Sequence, residues 1–126
     1  MSEKGYSLIV NSILEGKSID LSMLPPDQRK NFDLAGDDLV ERGFFLEAAK
    51  VFNMTQNLEK LKFVAEFCLK EKKLEIAFFA FNALNEKEGL DKTGEAFLQV
   101  PDVKKALLCF ESAENDMMVS FIRENF

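Results

Sequence analysis

The stretch Phe32–Phe52 reads FDLAGDDLVERGFFLEAAKVF, and its pattern of small and bulky side chains returns twice, at Leu61–Phe81 (LKFVAEFCLKEKKLEIAFFAF) and Leu90–Phe110 (LDKTGEAFLQVPDVKKALLCF). The offset is 29 residues each time, with no gaps. A large residue opens each copy: Phe32, Leu61 and Leu90. A small one follows four positions later: Gly36, Ala65 and Gly94. Then come Leu39, Cys68 and Phe97; Ala48, Ala77 and Ala106; Phe52, Phe81 and Phe110; and, beyond the quoted stretches, Thr55, Leu84 and Ala113. Self-similarity at a fixed period of this length marks a repeat architecture, in which each copy is one supersecondary unit.

The spacing inside a copy identifies the unit. The earlier residues recur at intervals of four, three and seven, which place them on one face of a helix. The later Ala and Phe are four apart, on one face of a second helix. Breakers separate the two faces: Arg42-Gly43, Lys72-Lys73 and Val100-Pro101-Asp102. Each copy is therefore a helical hairpin. The small residue of the first helix is expected to face the small alanine of the second, so that the two axes approach closely. The predicted helices run over about 26–42, 45–55, 58–71, 73–85, 87–99 and 102–114. Asn57, Asp102 and Asn115 stand where helices start and are good caps there.

Two pieces flank the copies. Tyr6, Ile9, Val10, Ile13 and Leu14 form a helical stripe closed by Gly16. Ser7, Val10, Ile19 and Met23 lie 29 residues before Gly36, Leu39, Ala48 and Phe52, so residues 1–25 read as a degenerate leading repeat, cut short by Pro25-Pro26. Met117, Met118, Phe121 and Ile122 stripe a last helix within 116–126. Stacked repeats need terminal caps with one polar face, and both pieces suit that job. Leu74–Leu84 is apolar nearly all round, as expected of a helix covered on several sides. The expected organisation is one all-α domain, 1–126, with repeats at 29–57, 58–86 and 87–115.

These residues resemble the tetratricopeptide repeat. Phe32, Ala35-Gly36, Leu39, Gly43, Glu47-Ala48 and Phe52 look like that family's signature; the second copy keeps Ala65, Ala77 and Phe81, and the third keeps Gly94, Ala106, Phe110 and Ala113. The likeness covers about residues 29–115. It departs from the family in repeat length, 29 against the usual ~34, and in lacking a proline at the end of the second helix. Compact hairpin repeats of vesicle-coat solenoids look similar at Leu69–Ala77. The resemblance implies a right-handed α–α superhelix of about three stacked hairpins, with a helix capping each end and first helices lining a concave groove.

In the 29-residue register the groove columns are Asp33, Lys62 and Asp91; Asp37, Glu66 and Glu95; and Val40, Leu69 and Leu98. An acidic ladder beside an aliphatic strip would suit a partner segment with basic and apolar side chains. The competing reading is a solvated acidic face beside core aliphatics. Family members that clamp a C-terminal carboxylate do so with basic and amide groups; Asp33 and Asp37 do not match, so that activity is not carried over.

Composition narrows the function. Of 126 residues, 16 are Lys or Arg and 22 are Asp or Glu, a net charge of −6. A general nucleic-acid binder needs a basic face, so none is expected. There is no His, the commonest general base and metal ligand. No Walker loop or dinucleotide fingerprint occurs, and Asp37, Asp38 and Glu41 lack the pattern of a dedicated metal loop. Neither cofactor nor catalysis is expected. Cys68 and Cys109 sit in apolar contexts and read as buried thiols. The cluster Lys70, Lys72 and Lys73 is interrupted by Glu71 and reads as a solvated helix end. The longest apolar run, Ile76–Phe81, is far short of the roughly 20 residues of a membrane span. With no signal-peptide core or lipidation motif, the expected place is the cytoplasm. The expectation is a protein-binding module without chemistry of its own. The alternatives are a subunit or adaptor held by its ends, and, last, a carboxylate- or metal-dependent enzyme. Tyr6, Phe121 and Phe126 near the chain ends leave a monomer or a weak homodimer.

Overall fold

Helix caps and left-handed residues divide the chain, and in the computed structural model, which describes residues 9–16 and 26–126, every regular element is a helix. Helix α1 is described over 9–14, and Gly16 closes it at φ +79°, a conformation glycine adopts without steric cost. Then follow α2 (Pro26–Glu41), α3 (Phe45–Met54), α4 (Leu58–Lys70), α5 (Leu74–Leu84), α6 (Lys87–Gln99), α7 (Val103–Ser112) and α8 (Asp116–Asn125). The all-α class is as expected, and the predicted bounds fall within two residues of these. Ser7, Tyr6, Ile19 and Met23, used above for a leading repeat, lie outside the described residues.

The 29-residue period is written in the backbone. At the ends of α3, α5 and α7, Gln56, Asn85 and Glu114 take left-handed φ values of 59°, 55° and 57°. The next N–H in each case donates to a carbonyl five residues back: Asn57 to Phe52, Glu86 to Phe81 and Asn115 to Phe110, at 2.9, 3.0 and 2.9 Å. That is a Schellman closure, which satisfies carbonyls that the helix end leaves without partners. Inside the hairpins the same five-residue bond recurs, Phe44 to Leu39, Lys73 to Cys68 and Asp102 to Phe97, at 2.8, 2.8 and 2.7 Å. Gly43 and Lys72 are left-handed before it. Pro101 holds that place in the third copy and cannot turn left-handed, yet the bond to Phe97 is made. The predicted caps are also formed: Asn57, Asp102 and Asn115 side chains accept from the N–H groups of Lys60, Lys105 and Met118, each at 3.2 Å.

The chain divides into two compact units, Met1–Val64 and Ala65–Phe126. In the first, α2 packs on α3 around Phe32, Ala35, Leu39, Ala48 and Phe52, all buried. Val10 of α1 and Leu61 and Val64 of α4 are also buried. In the second, α5 packs on α6, α6 on α7 and α7 on α8. Leu74, Phe97, Ala106, Cys109, Phe110 and Ile122 form its apolar cluster, with Leu69, Phe78, Leu98 and Met118 packed against it.

The glycine positions add a contact that the pairing of small residues does not contain. The atoms nearest to a Cβ added at Gly36 belong to the ring of Phe52, 2.6 Å away at Cζ. At Gly94 it would meet Phe110, 2.8 Å from Cζ. The slot left by the missing side chain seats an aromatic ring from one turn beyond the alanine, so small and bulky columns interlock. In the second copy the column holds Ala65, whose Cβ occupies that space, and the Phe81 ring lies against Gly89 of α6, 2.6 Å from the position its Cβ would take. Thr93, fully buried beside these glycines, satisfies its hydroxyl on the Gly89 carbonyl at 2.8 Å. The stripe on α8 divides likewise: Ile122 is buried and Met118 packs inward, while Met117 and Phe121 stay exposed.

Candidate functional site

The expected groove residues have three different fates. Asp33 and Asp91, in one column, serve the hairpins themselves. The Thr55 hydroxyl donates to Asp33 at 2.7 Å, and the Asn115 amide donates to Asp91 at 3.0 Å. Both half-buried carboxylates thus tie a first helix to the chain that leaves the second. Leu69 and Leu98 are half-buried and belong to the apolar cluster of the second unit. Lys62, Glu66 and Glu95 are exposed.

Asp37 and Val40 have the third fate. They lie three residues apart on α2 and line a recess of about 390 Å³ with Glu41, Phe52, Lys60 and Phe63. Its composition follows from the fold. Phe52 packs its ring against Gly36 and is 1% exposed. Val40 supplies an aliphatic wall. The first turn of α4, capped by Asn57, presents Lys60, and Phe63 follows one turn on at 58% exposure. The Lys60 ammonium donates to both Asp37 oxygens at 2.8 Å and lies 5.8 Å from the Phe52 ring centroid. That distance is within cation–π range. The pair is held between a ring and a two-oxygen acceptor.

Glu41 is one turn beyond Asp37 on the same face of α2. Arg42 pairs with Asp38 at 3.0 Å, and Lys60 is held by Asp37. Among the described residues no cation pairs with Glu41. The rim therefore carries two carboxylates against one ammonium.

Glu41, Phe52, Lys60 and Phe63 were not singled out by sequence as site residues. Phe63 carries a legible signal: it occupies a column with Leu34 and Lys92, outside the buried stripe, and it stands 58% exposed. Lys60 carries none, since its role depends on a residue 23 positions earlier.

The second unit has a smaller recess, about 140 Å³, lined by Glu75, Phe78, Phe97, Lys105 and Leu108. Here too an ammonium lies over a ring, Lys105 at 6.0 Å from the Phe97 centroid. Its hydrogen bond to Glu75 holds that carboxyl below the usual range and raises Lys105 in turn. The cysteines are buried thiols without a disulfide. Desolvation pushes Cys68 up to about 11, against a small opposing pull from Lys73, and Cys109 up to about 12. Such thiols are poor nucleophiles. No helix among the described residues is long and apolar enough to cross a membrane. Compared with protein-family models, curated proteins and solved structures, the chain matches none of them.

Proposed function

We propose that this protein is a non-catalytic interaction module that binds a peptide or helix of a partner protein through the first-helix face of its hairpins. The observation that carries this reading is the α2–α4 recess: two expected groove residues, Asp37 and Val40, line it beside a large aromatic side chain left 58% exposed. An exposed aromatic beside a fixed ion pair is the kind of anchor that interfaces use. The tetratricopeptide resemblance supports the same face, and with it a superhelical stack and a cytoplasmic setting. The test is affinity capture on the immobilised chain, with identification of what is retained. A partner held by the native chain and lost from Asp37→Lys plus Glu66→Lys supports the reading. Retention unchanged by both substitutions removes this face from it.

A second reading is a subunit or adaptor of a larger assembly, held by an end helix. It is favoured by α8, where Met117 and Phe121 are 77% and 49% exposed, with Phe126 at 71% just beyond. Self-association through this helix would give a weak homodimer. Size exclusion of Phe121→Glu against the native chain separates it from the first reading. A shift to smaller size with peptide binding intact favours the assembly.

A further inference from the structure

The recess on α2 and α4 has a definite chemistry, and we infer that its occupant is a protein segment that inserts one apolar side chain and sets an arginine or lysine next to it, against Glu41. The inference rests on the interaction-module reading and names the partner class for it.

Size sets the first limit. At about 390 Å³ the recess lies near the bottom of the ~300–1,000 Å³ range of ligand pockets. It takes a side chain and its immediate neighbour, and not the whole face of a helix. The lining sets the second limit. The apolar lining is Val40 and Phe63, with the buried Phe52 ring behind them, and these favour an aliphatic or aromatic insert. Phe52 is buried against Gly36 and Lys60 is held by both oxygens of Asp37, so little ordering remains to be done when the insert arrives.

Charge sets the third limit. Asp37 and Lys60 neutralise each other, and Glu41 remains at the rim without a counter-ion among the described residues. The whole chain is at −6. An acidic flank on the insert would meet Glu41 and the same overall field; a basic flank is attracted by both. An arginine could also lie along the exposed Phe63 ring. The smaller recess of the other unit lacks this selectivity, because Glu75 is drawn onto Lys105.

The probe is a short Gly/Ser peptide carrying one Leu-Arg pair, with Ala-Arg and Leu-Glu versions as controls, titrated into the full isotope-labelled chain by NMR. The expected result is saturable shifts at Val40, Glu41, Lys60 and Phe63 with the Leu-Arg peptide only. Phe63→Ala should weaken binding about tenfold or more, and Glu41→Lys up to about fivefold, with the salt dependence reduced. Phe63 is a surface side chain, so its loss leaves the core intact; Leu108→Ala, at the other recess, should leave binding unchanged. Shifts confined to other residues, or equal binding of Leu-Glu, overturn the inference and leave the module reading standing. No saturable shift with any of the peptides also overturns it, and the capture experiment then decides the module reading by itself.

Discussion

In the Met1–Val64 unit a lysine ammonium lies over a phenylalanine ring beside an open recess; in the Ala65–Phe126 unit the same pairing stands beside a recess about a third as large, 140 against 390 Å³. The chemistry is shared: a ring, an ammonium over it and a carboxylate that fixes the ammonium. The arrangement differs. Lys60 reaches back to α2, whose next turn brings a second carboxylate, Glu41, to the rim. Lys105 is drawn across to Glu75 of α5, with Asp102 also near it at 3.7 Å, so its carboxylates are engaged. An ion pair on a helical-repeat surface becomes a candidate site when the neighbouring turn supplies an unengaged charge and an exposed aromatic. Without these it is a latch between helices.

The largest effect that bears on this contrast concerns the rings. Phe52→Ala and Phe110→Ala each remove a fully buried side chain and should each cost about 3–5 kcal/mol in urea unfolding. Only Phe52→Ala should also abolish peptide binding, because its ring lies behind the apolar lining of the larger recess. Equal binding by both variants would break the contrast. Overpacking comes next. Gly36→Ala and Gly94→Ala drive a Cβ into a seated ring, and Ala77→Leu crowds a fully buried position; each should cost about 1–3 kcal/mol.

The two units should also differ in alkali, since Cys68 and Cys109 both belong to Ala65–Phe126. An unfolded thiol gives up its proton near 9, whereas the folded ones hold theirs to about 11 and 12. The folded state then binds more protons than the unfolded one, so stability is full below pH 9 and falls as pH rises from there. Urea midpoints should drop between pH 9 and 11, and Cys68→Ala with Cys109→Ala should flatten the drop. The smallest effect belongs to the ion pairs. Lys60→Met loses a part-exposed pair, about 0.2–1 kcal/mol, whereas Lys105→Met should leave the urea midpoint where it was.

Much of this fold is legible without coordinates. The breakers, the caps at Asn57, Asp102 and Asn115, and the register of small and bulky columns are local signals, and they place the helices within two residues of where they lie. The left-handed turn ends were partly hidden. Asn85 is a residue that adopts that conformation readily, but Gln56, Lys72 and Glu114 are not, and only the copy-to-copy register could have marked them. The site was less legible because it is tertiary. Asp33 and Asp37 are both acids on α2, one turn apart. One accepts from Thr55 and the other from Lys60, partners 22 and 23 residues away. Nothing in local sequence separates a carboxylate that ties a hairpin together from one that faces a recess.

Rings of second helices seated on glycines of first helices hold the hairpins together, and a double-mutant cycle at Gly94 and Phe110 addresses this most directly. Gly94→Ala, Phe110→Leu and the double variant would be compared in urea unfolding. If the ring sits in the glycine slot, the smaller leucine relieves the added Cβ, and the double variant should lose about 1 kcal/mol less than the sum of the single losses. Losses that add to within about 0.5 kcal/mol would contradict the interlock of ring and glycine on which the hairpins are built.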